Sequence, residues 1–305
     1  MCNYTINCGI LNYMNRNNST LPLPFSHYIY SFFAIQILWM VGGNYLTGQL
    51  YYLSSSSVFA ISPILMYVIQ HANFFLLLIL LIIFIKVVHK TSILSFITDH
   101  KRFNIKGLFL GLGVWLGAMI INSGLNIVLL QQRVIIPHSD DFSIHILMVL
   151  VALLCSPVQA FSEEVLFRSF FYNAFKQKAV NKYIISSIAA LFFTLAHLSN
   201  SELTLFNSPF LILLYYFLSG FFFMLIVYHY GGIEVALGAH IMNNFYITTI
   251  MNYEKSSIFS HPYFIIEKTN IYADIILLTL TSLLLLSFKA TKPKDKKEND
   301  LITHT

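Results

Sequence analysis

The sequence predicts an all-α fold, a polytopic membrane helix bundle of about eight transmembrane helices. Three observations carry this. Hydrophobic residues make up 57% of the chain, and mean hydropathy is +0.69. Charged residues amount to only 10%. Apolar residues also come in long runs, where a span needs about 20, instead of alternating with polar ones.

On that rule the spans fall at roughly 28–50, 58–88, 107–130, 144–172, 182–199, 208–229, 232–251 and 271–289. The second contains Pro63, His71 and Asn73 and is long enough to tilt or kink. The third carries Gly107-x3-Gly111 and Gly113-x3-Gly117, spacing that lets helices approach closely. No strand precedes these glycines and their spacing is not that of a dinucleotide site. The fourth contains Pro157, expected to bend the helix just before two glutamates. Pro209 opens the sixth, and only Tyr230-Gly231-Gly232 separates the sixth from the seventh.

Lysine and arginine set the orientation. Lys86, Lys90, Lys101, Arg102 and Lys106 cluster between spans two and three, Lys176, Lys178 and Lys182 after span four, and Lys289, Lys292, Lys294, Lys296 and Lys297 after span eight. With eight spans these clusters share one side, so both termini are expected in the cytoplasm, in the cell's plasma (inner) membrane. The formal charge of +5 is thus a topology signal and not a nucleic-acid patch. Cys2, Cys8 and Cys155 make no disulfide framework, and nothing reads as a cleavable leader. Met14 offers an alternative start. The expected organisation is a polar tail over 1–27, N-terminal spans over 28–142, a core over 143–252, a loop and last helix over 253–289, and a basic tail over 290–305.

Chemistry concentrates in a few polar side chains. Glu163, Glu164 and Arg168 sit in an apolar run, where an ionisable group costs roughly 2.5–3.5 kcal/mol on insertion scales. On a helix Glu164 and Arg168 are i,i+4 neighbours, while Glu163 is turned about 100° away. His197 ends another apolar span, and His240 and Asn244 share a face of a third. Taken singly, an intramembrane His or Asn is more often a helix-packing hydrogen-bonder. Together they are what water-mediated peptide hydrolysis requires: a carboxylate of raised pKa as base, and donors facing the oxyanion. No Ser or Cys is paired with a base for covalent catalysis. Asn122, Ser123 and Asn126 read as glue between helices, His71, His229 and Asp274 as interfacial, and Glu234 as a favourable charge at a helix start.

The ordered set Glu-Glu-x3-Arg, Phe-x3-His, His-x3-Asn over residues 163–168, 193–197 and 240–244 resembles the CPBP family. These are the CAAX-processing and bacteriocin-processing membrane proteases, which include the prenyl-protein endopeptidase of eukaryotes. The resemblance covers about residues 145–250. It implies an endopeptidase with Glu163 as general base assisted by His197, His240 and Asn244 as the oxyanion site, and Glu164 with Arg168 ordering the helix. Its substrate would be a peptide or protein, lipidated or with a hydrophobic tail, cut near the cytoplasmic face. No obligatory cofactor is expected; a metal, if present, would be zinc held by Glu163, His197 and His240. Two other classes compete: a proton- or ion-coupled transporter using Glu163, Glu164, His197 and His240 as a relay, and a non-catalytic membrane protein of the bacteriocin-immunity type.

Overall fold

The computed structural model describes residues 23–55, 62–136, 142–176, 178–205, 208–254, 256–267 and 269–290. Cys2, Cys8, Met14 and the lysines beyond residue 290 lie outside them, as do Lys255 and Lys268.

A helix falls on each of the eight expected stretches. Long helices are α1 (Phe25–Ser55), α2 (Pro63–Ile83), α4 (Ile105–Gly124), α5 (Phe142–Glu164), α7 (Lys182–Ala196), α9 (Pro209–Tyr230), α10 (Glu234–Thr249) and α11 (Ile271–Ser287). Short helices α3 (Ile93–Ile97), α6 (Phe170–Phe175) and α8 (Glu202–Leu205) fill the connections. Among the described residues, five of these are long and apolar enough to cross a bilayer: α1, α2, α4, the continuous Phe142–Phe175, and α9. Helices α7 and α11 are apolar but shorter, and α10 has only 16 residues. The chain is therefore a multi-pass helical membrane protein.

Local chemistry sets the ends. Ser62 caps α2, with Pro63 in its first turn where a missing N–H costs nothing; residues 58–61 of the expected second span lie outside the described residues. Helix α5 continues past Pro157, and a π-helical turn over Val165–Ser169 follows it, leading into α6. Similar turns end α2 at Phe84–Val88 and α4 at Leu125–Leu129. Helix α9 stops at Gly231, whose φ of 72° is the left-handed cap that glycine adopts without strain. Glu234 does more than face a dipole: it is buried, and its Oε1 accepts the backbone N–H of Asn104 at 3.0 Å.

Helix α10 is the central element, packed between α4 and α5. A Cβ on Gly111 would stand 2.0 Å from the Val235 carbonyl oxygen, and one on Gly238 2.1 Å from that of Leu108, so α4 and α10 touch backbone to backbone. Gly113 and Gly117 meet nothing within 4 Å and are not part of that contact. Helix α2 packs along α5 as well.

A three-stranded sheet, absent from the sequence expectation, closes the end of α10. Strands β1 (Val134–Ile135), β2 (Met251–Tyr253) and β3 (Phe264–Ile266) run in the order β1-β3-β2. β1 is antiparallel to β3 with Val134 opposite Ile266, and β2 is parallel to it with Met251 opposite Phe264. Glu202 clasps this region, accepting from the Tyr253 hydroxyl at 2.8 Å and the Ser257 N–H at 2.7 Å. Burial, and then the Glu202 carboxylate beside it, hold the Tyr253 phenol well above its ordinary pKa.

Candidate active site

Helix α5 supplies Glu163 and Glu164 on its last turn, both buried among apolar side chains. The π-turn that follows carries Arg168, also buried. Arg168 Nε lies 3.3 Å from Glu164 Oε2, an ion pair without hydrogen-bond alignment. The guanidinium also stands over the ring of Phe193 at 4.4 Å, an arrangement that eases burial of a delocalised cation.

Glu164 does more than hold Arg168. Its Oε1 lies 2.8 Å from His240 Nδ1, so α5 and α10 are joined by a carboxylate–imidazole contact. The other ring nitrogen, Nε2, lies 3.8 Å from Glu163 Oε2. A carboxylate has only lone pairs to offer, so Nδ1 carries the proton. Neutral His240 would then have no N–H at Nε2. It could not donate to an oxyanion from that atom. Donation there requires imidazolium.

His197 ends α7 and turns its Nδ1 to the Phe193 carbonyl at 2.7 Å. A carbonyl accepts, so Nδ1 donates and Nε2 keeps its lone pair. Its ring packs on those of Phe193 and Tyr216. On α10, Asn244 is buried; its Oδ1 accepts from Asn243 Nδ2 at 3.2 Å, and its own Nδ2 is buried with no partner.

These side chains converge. Glu163, Arg168, His197, His240 and Asn244 line one cavity of about 230 Å³, while Glu164 sits behind the wall. The cavity extends to Glu202 and Asp274. Asn122 on its wall donates to Asp274 at 2.9 Å, and Ser123 meets the Tyr246 hydroxyl at 2.7 Å, as helix glue would. Asp274 is accordingly tied into the bundle and not simply interfacial.

Several residues at the site carry no sequence motif. Gln159, one turn before Glu163, donates from Nε2 to Glu163 Oε1 at 3.1 Å. Its Oε1 faces His71 Nε2 at 3.1 Å, and His71 Nδ1 faces the Tyr67 carbonyl at 2.8 Å. His71 is therefore buried inside the bundle, a correction to its interfacial reading. Trp115 and Asn243 complete the group. The available signal for His71 was an ionisable residue in the middle of an apolar span, which by default marks function.

Among the described residues no three His, Cys, Asp or Glu side chains are grouped to hold an ion, while His197, with Nδ1 on a backbone carbonyl, leaves Nε2 free in the way a metal-bound imidazole does.

Fold and site together define a polytopic membrane protein with a carboxylate–imidazole–amide centre inside its helices. Residues 144–246, about a third of the chain, match the family model described as type II CAAX prenyl endopeptidase Rce1-like. Over that segment the chain is similar to the CAAX-protease (CPBP) family, which supports an assignment to it. No curated protein matches the chain.

Proposed function

We propose that the protein is an intramembrane endopeptidase cutting a peptide with a lipidated or hydrophobic tail, by water activated on Glu163. The observation that carries this is the shared cavity: Glu163, His197, His240 and Asn244 face one space from three helices. Water oxygen attacks the scissile carbonyl carbon while its proton passes to Glu163, with His197 Nε2 accepting a hydrogen bond from the same water. The carbonyl electron pair moves onto oxygen, which meets the partnerless Nδ2–H of Asn244 and the Nε2–H of imidazolium His240. Collapse of this intermediate breaks the C–N bond, and the proton held on Glu163 goes to the leaving nitrogen. The products are a carboxylic acid and an amine, and the protein returns to its starting state.

Buried position matters as much as residue type. Excluding bulk water strengthens each charge–dipole contact and keeps the donors preorganised. Glu163 lies 13 residues before Lys176 and 21 after Phe142, so the centre sits nearer the basic end of its helix. The two lysine-rich connections meet at that end, where Lys176 Nζ lies 3.3 Å from Asp99 Oδ1. With the positive side inward, a substrate tail embedded in the cytoplasmic leaflet would reach Glu163 laterally, and both termini would be cytoplasmic.

The test compares peptides in membranes from cells producing the wild type and Glu163→Gln, identified by mass spectrometry. Fragments with new termini that accumulate only with the wild type are expected. Identical peptide pools, with both proteins folded and equally abundant, would overturn the proposal.

A further inference from the structure

Trp115 belongs to α4, outside the residues 144–246 that carry the family match. It is buried, and its ring meets Phe223 edge-on at 5.3 Å between centroids. Its indole Nε1–H donates to Asn243 Oδ1 at 3.2 Å. An indole nitrogen is a donor only, which settles the direction of everything after it. Asn243 must present its oxygen to Trp115 and therefore its Nδ2 to Asn244 Oδ1, 3.2 Å away. Asn244 must then turn its own Nδ2 away from Asn243, and that is the buried amide nitrogen left without a partner at the cavity.

A carboxamide has nearly the same shape with its two ends exchanged, so packing alone does not choose between them. With the ends reversed, Asn244 would offer the cavity an oxygen lone pair, which repels an oxyanion. The donor-only indole removes that freedom through two hydrogen bonds. We infer that Trp115 is a positioning residue for the reaction: through Asn243 it fixes the N–H end of the Asn244 carboxamide toward the cavity. The inference rests on the hydrolytic reading above and adds to it a requirement met by a span that bears no motif.

The experiment uses the full-length protein in liposomes and a synthetic peptide spanning the cleavage site found in the membrane comparison. Trp115→Phe keeps an aromatic ring against Phe223 and deletes the donated hydrogen. It should lower kcat roughly 10- to 100-fold, up to the loss expected for an oxyanion donor, with KM changed little. Asn243→Leu interrupts the same relay one residue later and should give a similar loss. Combining Trp115→Phe with Asn244→Leu should be no slower than Asn244→Leu alone, because both act through one amide. A structural role would instead lower the melting temperature and multiply with Asn244→Leu. Unchanged kcat in Trp115→Phe, or multiplicative losses, overturns the relay while leaving the protease reading intact. Cleavage that survives Glu163→Gln overturns both.

Discussion

His240 and Glu164, 76 residues apart in sequence, face each other at 2.8 Å between Nδ1 and Oε1, and the same carboxylate holds Arg168 at 3.3 Å. One buried anion thus serves two cations or near-cations, and its removal has two separable effects.

Stability and catalysis should part company at this pair. Glu164→Gln or Arg168→Met alone leaves one charge buried and uncompensated, a loss of roughly 3–5 kcal/mol. Glu164→Gln with Arg168→Met removes both charges and should recover most of that in denaturant melts. Turnover should not recover, because His240 has lost the anion that fixes its protonated nitrogen; the orienting carboxylate of a serine-protease triad is worth about 10⁴ on that ground. A double variant that regains full cleavage with its stability would show that Glu164 only balances Arg168.

Gln159 should matter to the rate and not to substrate affinity. It donates to Glu163 at 3.1 Å, and a hydrogen bond to a charged group is typically worth about 1.5–3 kcal/mol. Gln159→Leu frees the carboxylate to rotate and should cut kcat about 10- to 100-fold. Equal kcat in the two proteins would remove Gln159 from the site's working parts.

The glycines of α4 divide sharply. Gly111→Ala would put a methyl 2.0 Å from the Val235 carbonyl and 2.8 Å from the Ala239 amide, atoms that cannot give way. Overpacking of this kind typically costs about 1–3 kcal/mol, and displacing α10 moves His240 and Asn244 with it. Gly117→Ala meets open space and should leave both melting and cleavage unchanged. Thermal melts and cleavage rates of the two variants check the contrast.

Acid should weaken the folded state through His89. Burial, with His27 nearby, holds its imidazole down to about 4, against an ordinary 6.5. Between those values the unfolded chain binds the proton and the folded one does not, so stability is complete above about pH 6.5 and falls as pH drops toward 4. The folded ring sits between Tyr28, Phe96 and Phe170 with Nε2 on Ser31 at 3.0 Å. His89→Phe should flatten the acid limb of a melting-temperature curve against pH. An unaltered limb would place the acid sensitivity elsewhere.

How much of this was legible beforehand follows from what hydropathy records. Apolar runs mark each helix, and Glu163, Glu164, Arg168, His197, His240 and Asn244 stand out because charge and amide are rare among them. Hydropathy does not say which face of an apolar helix meets protein and which meets lipid. Gly107 and Gly117 looked alike for that reason, yet only the first packs against α10. His71 was legible as an anomaly in its span but not as a neighbour of Gln159, 88 residues away. Trp115 had no signal at all, since an indole in a membrane helix is ordinary. The short sheet was invisible because strands of two and three residues are held by their register with one another, not by any local pattern.

The π-turn at Val165–Ser169 has a consequence of its own. It accommodates one residue more than an α-helix would over the same rise, and it lies between Glu164 and the rest of α6. Deleting one residue there would return the turn to ordinary winding with both flanks still in phase. The acids before it would keep their aim at the imidazoles, and only side chains of the coil itself, Arg168 among them, would be re-aimed. The surplus residue thus tunes where the buried cation stands, and leaves the meeting of water with its base untouched.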